Sequence, residues 1–280
     1  MLQSNRERMA VPELGLLRML VEVIKAGVPD NAVEMVNQTD DKSRDESVMK
    51  CCVIAQNLAG AKECHENMIE SSLGLITALA TTIYYGKDDA KQKAFGAVVN
   101  MSLSEATQEA LGQNSALVGA LLSLLKSESA GENRSRACGV LQNLAVSPIN
   151  RLSMLADNDK LKLAAVVIGI IKNTESLRNN ALGLFLNLSV APENKPIVGA
   201  SVGLVEALSM CIADSPAASD VRLKACSLAW SLGSNEENRS LLAAHQPLLD
   251  ALTAVAGEES GDIQAKAMGA LGTLAPGLSI

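Results

Sequence analysis

Aromatic side chains are nearly missing from this chain: one Trp, two Tyr and two Phe among 280 residues. A core without large rings must be filled by Leu, Ala, Val and Ile, a filling that suits closely packed helices. It also leaves no row of rings on which single-stranded bases could stack. Positive charge is short as well, 24 Lys and Arg against 31 Asp and Glu for a net charge of −7. That balance excludes bulk attraction to nucleic acid, which needs a basic field. Only His65 and His245 are present, both in stretches read as turns, so acid–base catalysis has few candidates. The long apolar runs, such as LAAVVIGII at 163–171, fall far short of the roughly 20 residues that span a bilayer. The opening MLQSNRERMA carries charges where a secretory signal needs an apolar stretch, and Leu2 stands where N-myristoylation needs Gly. The expectation is a cytoplasmic or nuclear protein with no nucleic-acid partner, no direct membrane insertion and no cofactor.

What the chain does have is a repeated stretch. RACGVLQNLA at 136–145 returns as KCCVIAQNLA at 50–59, KAFGAVVNMS at 93–102, NALGLFLNLS at 180–189, KACSLAWSLG at 224–233 and KAMGALGTLA at 266–275. A marker position falls at Asn57, Asn100, Asn143, Asn187, Ser231 and Thr273, in steps of 43, 43, 44, 44 and 42 residues. A period of about 40–47 is the signature of helical arrays whose units lean on their neighbours. Cys52, Cys138 and Cys226 recur five residues before the marker. Recurrence at a repeat position reads as a small buried hydrophobe and not as a disulfide framework, and Cys51, Cys64 and Cys211 are expected to be reduced too.

Taken in order, residues 12–27 read as an amphipathic helix with Pro12 in its first turn and Gly27 at its end, the remnant of a partial N-terminal repeat within 1–27. Residues 28–45 are polar and acidic and read as a loop. From 46 to 280 each unit repeats one order: a short helix (about 105–112, 149–156, 193–200, 236–244), a longer apolar helix (73–85, 116–126, 161–172, 203–213, 247–256), then the marker helix. Turn-rich loops such as SESAG at 127–131, ADSPAASD at 213–220 and AGEESGD at 256–262 separate the second and third helices. Three helices per unit favour an armadillo design over the two-helix HEAT design.

Residues 180–205, NALGLFLNLSVAPENKPIVGASVGLV, resemble the armadillo repeat, with Ala and Gly, then Asn-Leu-Ser, Glu-Asn, and Gly at the second-helix start. The likeness runs from about residue 46 onward and is nearest to armadillo-only scaffolds and to the repeat arrays of U-box ligases; no U-box is present, so ligase activity does not follow. The resemblance implies an all-α, right-handed armadillo-type superhelical solenoid whose third helices line a concave groove. It also implies that Asn57, Asn100, Asn143 and Asn187 bond the main chain of an extended peptide there. An amide carries both donor and acceptor and can stand in for a missing strand neighbour. The alternative is that each Asn bonds only a neighbouring helix or loop. In the nuclear-import adaptors of this family the position four before the marker carries Trp; here it holds Val53, Gly96, Gly139, Gly183, Ser227 and Gly269, and the lone Trp230 sits one before the marker. A receptor of that design is not expected. Gly inside a helix costs about 1 kcal/mol against Ala, so its recurrence calls for a closely packed neighbour.

Seven residues before the marker stand Lys50, Lys93, Arg136, Asn180, Lys224 and Lys266. A heptad drifts only about 20° around a helix, so these share the Asn face, and a groove edged by cations favours an acidic segment. Four residues earlier come Glu46, Asp89, Glu132, Ser176, Asp220 and Asp262, which would make i,i+4 pairs worth about 0.3–0.5 kcal/mol each. The two readings weigh evenly. A second basic column, Lys91, Arg134, Arg178 and Arg222, lies about 180° away from the marker and reads as bridges between adjacent repeats.

The string GASVG at 199–203 matches a nucleophile elbow but lacks the strand that motif needs, and Cys51, Cys52, Cys64 and His65 lack zinc-site spacing. The candidate partner-binding residues are therefore Asn57, Asn100, Asn143, Asn187, Lys50, Lys93, Arg136, Lys224, Lys266 and Trp230, with no catalytic or metal-binding residue. The expected function is a non-catalytic protein-interaction scaffold or adaptor holding an extended partner segment; the alternatives are a structural subunit that uses its ends and convex surface, and, distantly, the regulatory array of an enzyme complex. Met268, Leu271 or Leu274 is expected to show on the last helix, the mark either of end-on assembly with another copy or a different protein or of a chain trimmed from something longer.

Overall fold

The structure is a computed structural model that describes residues 15–28, 42–127, 131–155, 161–213 and 219–276. Pro12, the acidic stretch 29–41 and the loop segments 128–130 and 214–218 lie outside the described residues. Among the described residues there is no strand. The chain forms two compact units, Met1–Ser147 and Pro148–Ile280.

In the first unit α1 (Leu16–Gly27), α2 (Lys42–Ala59), α3 (His65–Met68), α4 (Leu75–Tyr85), α5 (Asp88–Ser102), α6 (Glu105–Gln113), α7 (Ser115–Lys126) and α8 (Glu132–Leu144) sort into three columns. The marker helices α2, α5 and α8 pack one on the next, α1, α4 and α7 do the same, and α3 stands on α6. α1 thus occupies the second-helix column, as expected of a partial first repeat. The second unit has α9 (Pro148–Leu155), α10 (Leu161–Asn173), α11 (Arg178–Leu188), α12 (Asn194–Gly199), α13 (Leu204–Ala213), α14 (Ser219–Gly233), α15 (Glu236–Ala243), α16 (Gln246–Glu258) and α17 (Gly261–Leu274). Its columns are α11, α14 and α17; α10, α13 and α16; and α9, α12 and α15.

The interior is aliphatic. Leu, Ala, Val and Ile dominate the buried set, with Phe95 and Phe185 its largest members. All six cysteines are buried free thiols. Burial pushes the Cys52, Cys138 and Cys226 thiols up to about 12, because a thiolate there would lose its hydration. Gly27 ends α1 where a Cβ would stand 2.0 Å from Val48 Cγ2, so the glycine is there for close approach to α2.

Two expectations need correction. α2 already includes Lys42–Asp45, the end of the stretch read as a loop; Asp45 in its first turn suits the positive end of the helix dipole. The short first helix before α4 exists as a 3-10 turn at Lys62–Cys64 followed by α3, and His65 opens that helix as a buried residue. Of Met268, Leu271 and Leu274 on α17, Met268 is the one that shows, at 45% exposed, whereas Leu271 and Leu274 turn inward and Leu274 meets Gly233.

The second basic column bridges adjacent repeats at Arg222, as expected, and it also acts within each repeat. Arg134, Arg178 and Arg222 each donate from Nε to a carbonyl at the end of the second helix of their own repeat: Leu125 O at 2.9 Å, Ile171 O at 2.9 Å and Ile212 O at 3.1 Å. Gln264 does the same in the last repeat, with Nε2 2.9 Å from Ala256 O. The last carbonyls of a helix have no intrahelical donor, and a cation there also suits the dipole. These side chains hold the second helix to the third within one repeat, and Arg222 in addition reaches Glu259 of the next.

Candidate functional site

The marker helices form because each carries a stripe of small and aliphatic residues that faces its neighbours, leaving the marker face half-open. In the first unit Asn57 on α2 is exposed, while Asn100 on α5 and Asn143 on α8 are half-buried. Asn100 donates from Nδ2 to Gln56 O on α2 at 3.3 Å, and Asn143 donates from Nδ2 to Ser102 Oγ on α5 at 3.1 Å. Each amide thus ties its helix to the preceding marker helix with one N–H. An amide offers two donors and an acceptor, and no other described residue bonds the carboxamide oxygen or the second N–H of either. In the second unit Asn187 on α11 is half-buried, Ser231 on α14 takes the next marker place, and Thr273 on α17 turns its hydroxyl back to Gly269 O at 2.8 Å.

The cations seven before the marker are held in different ways. Lys50 pairs with Glu46 at 2.7 Å, both exposed, and the lysine holds the Glu46 carboxyl below its usual range. Arg136 pairs with Glu132 at 2.6 Å and also donates to Gln92 Oε1 on α5 at 2.6 Å. Solvent screens such surface pairs, so they add little to the fold. Lys224 is half-buried and donates to Asn179 O at 3.1 Å; burial lowers its pKa, opposed by nearby Asp220. Lys266 lies over the Trp230 ring, Nζ 5.0 Å from the centroid. Lys93 is exposed on α5. The internal i,i+4 pairing expected at every charged step is therefore formed by Glu46–Lys50 and Glu132–Arg136 among the described residues.

At Gly96 and Gly269 the glycine four before the marker has its cause in the neighbouring helix. A Cβ on Gly96 would stand 2.3 Å from Gln56 Nε2, and one on Gly269 would stand 2.8 Å from the Trp230 ring. In both places the side chain one before a marker lies across the glycine of the next marker helix.

A second column went unread in the sequence. His65, Gln108, Asn150, Asn194 and Asn238 are buried polar residues, one per first helix. His65 Nε2 bonds Ala59 O at 2.8 Å and Gln108 Nε2 bonds Ser102 O at 3.1 Å, each at the end of the preceding marker helix. Asn194 donates to Leu188 O at 3.0 Å and to Arg151 O at 2.8 Å, and Asn238 to Lys195 O at 2.7 Å. Its signal was the spacing of seven or eight residues past each marker. His245 caps α16 by accepting from Leu248 N at 3.2 Å.

Ser201 within GASVG donates to Ile197 O at 2.8 Å, a helix-end bond and not a nucleophile's setting. Among the described residues no three His, Cys, Asp or Glu converge as metal ligands, and no helix is long and apolar enough to cross a membrane. A cavity of about 360 Å³ opens at the starts of α2 and α5, lined by Val28, Val48, Met49 and Tyr85 with Asp45 and Asp88 among its walls. It lies two to three turns from the marker residues, which sit near the other ends of the same helices.

No family model matches the chain, and no curated protein does. Solved structures do. A computationally designed armadillo repeat protein for modular peptide recognition superposes with a TM-score of 0.71 at 17% identity, covering 92% of this chain and 99% of the other. The designed armadillo repeat protein YIII(Dq.V1)4CPAF, solved in complex with the peptide (KR)4, gives 0.70 at 17% identity over the same shares. YIII(Dq)4CqI, another designed armadillo repeat protein, gives 0.68 at 17%, again over 92% and 99%. The fold is an all-α solenoid of the armadillo kind.

Proposed function

We propose that this armadillo-like solenoid is a non-catalytic protein-interaction scaffold whose marker-helix face takes an extended segment of a partner protein, with acidic segments preferred. The observation that carries the reading is the state of Asn100 and Asn143. One N–H anchors each amide to the preceding helix, which fixes its direction, and an oxygen and a second N–H remain for an incoming main chain. An extended backbone offers one donor and one acceptor per residue and must find partners for them. Anchored amides supply those partners with little side-chain entropy left to lose.

The designed neighbours support peptide binding by this fold, one of them with a basic peptide. At 17% identity their ligand preference does not carry over. Here the marker face presents Lys93, Arg136 and Lys266, which favour the opposite charge. Residues 46–280 are read as one array and 1–27 as its partial first repeat.

The alternative, a structural subunit that works through its ends, draws on Met268. The position five before the marker is fully buried at Cys52, Phe95, Cys138, Leu182 and Cys226, and open only at Met268. A photoreactive residue placed at 143 and, separately, at 268 tells the two apart. Crosslinks of a captured partner from 143 support the groove; crosslinks confined to 268 support the subunit.

A further inference from the structure

We infer that the crossing where a side chain one before the marker lies over the next repeat's glycine is a carboxylate subsite, available at Trp230–Lys266 and at Gln56–Lys93. This rests on the groove reading above and adds to it the chemistry of the contact and its two locations.

In the second unit the Trp230 ring spans from α14 onto Gly269 of α17, and Lys266, three residues before that glycine, stands over the ring. Trp230 remains 40% exposed. Lys266 has the ring as its contact and no carboxylate paired to it among the described residues, and the indole N–H has no acceptor there. The ammonium and the indole N–H, neither with a protein acceptor among the described residues, thus belong to one ring contact at a part-exposed surface. A Trp offers only a donor and a Lys only donors, so neither can accept a hydrogen bond from the other. The group that satisfies both is an oxyanion with two oxygens, one for the ammonium and one for the indole N–H.

In the first unit the same register places the Gln56 carboxamide on Gly96, with Lys93 three residues before that glycine. Lys93 is exposed, and neither it nor the Gln56 side chain is engaged by another described residue. At the next marker helix of this unit the corresponding cation, Arg136, is already committed to Glu132 and Gln92. The occupant of each subsite is an extended partner segment bearing a Glu or Asp side chain, selected by charge complementarity to the uncommitted lysine there.

Trp230 is the single Trp of the chain, so its emission reports its own subsite directly. Oligo-glutamate is titrated into the full-length protein while indole emission and the anisotropy of a labelled peptide are followed together, with oligo-lysine as the opposite probe. The expected result is a saturable change in emission with oligo-glutamate and none with oligo-lysine. Lys266→Gln weakens the emission-detected affinity about tenfold, with thermal unfolding unchanged, and Lys93→Gln lowers the anisotropy-detected affinity while leaving the emission response in place. Three outcomes overturn the inference: oligo-glutamate bound with Trp230 emission unchanged, equal affinity in Lys266→Gln, or a response to oligo-lysine. Crosslinking from position 143 is independent of charge, so it separates failure of this subsite from failure of the groove reading.

Discussion

Asn194→Ala should cost this protein more stability than loss of any marker Asn. Asn194 is 2% exposed, and its Nδ2 donates both hydrogens, at 2.8 Å to Arg151 O and at 3.0 Å to Leu188 O. Leu188 is the last residue of α11, so its carbonyl is among those a helix cannot satisfy internally. Each hydrogen bond contributes about 0.5–1.5 kcal/mol net, and a buried carbonyl left unpaired adds to the loss, giving about 2–4 kcal/mol together. Asn143→Ala removes one 3.1 Å bond to a hydroxyl at a half-open position, worth about 0.5–1 kcal/mol. Urea unfolding followed by circular dichroism reads the contrast. With a slope of about 2–3 kcal/mol/M the Asn194→Ala midpoint falls by about 1 M, after a check that the transition is single. Asn194→Asp keeps the shape but loses the donors, so it should be at least as destabilised. Equal midpoints for Asn194→Ala and Asn143→Ala would refute the assignment of the first-helix column as the stitch between repeats.

Gly96→Ala and Gly269→Ala should diverge: the Gln56 amide end can swing aside, and the helix then gains about 0.5–1 kcal/mol, whereas Ala at 269 must displace the Trp230 ring and shift its emission, a difference read by melting and fluorescence. Cys52, Cys138 and Cys226 are pushed up to about 12 from an ordinary value of 9.0. The unfolded thiols ionise first, so the stability these three contribute is complete below pH 9 and lost between about pH 9 and pH 12; alkylation near neutral pH should be slow in the folded protein and fast in urea. Arg222→Met removes the bond to Ile212 O and the ion pair with Glu259, with an expected loss of about 1–3 kcal/mol by urea unfolding, and Glu259→Gln should cost less because the Ile212 bond survives.

Much of the architecture was legible because the marker helix repeats both its spacing and its stripe of small residues. One position recurring every 42 to 44 residues fixed six helices and the order of the elements between them. The first-helix column escaped because its members change identity, His, Gln and then Asn, and because a polar residue in a short helix reads as solvent-facing. Its partners are backbone carbonyls, which leave no trace in the sequence. The same reason hid the partners of Arg134, Arg178 and Arg222, whose column was visible while its direction was not. Which of Met268, Leu271 and Leu274 shows was not legible, because a helical stripe does not say from which side a neighbour approaches; the Leu274–Gly233 contact decides it. The recurrent glycine did announce a close neighbour, but the Gln56 and Trp230 side chains that fill the space emerge only when adjacent repeats are stacked.

The central claim, that the marker face grips an extended polypeptide, is tested most directly by binding with the amides removed. Peptides selected from a random library on the native protein are titrated calorimetrically against the Asn100→Ala/Asn143→Ala double variant. The account predicts at least about a tenfold loss of affinity with a melting temperature within a few degrees of the parent. Affinity unchanged in a folded double variant contradicts it.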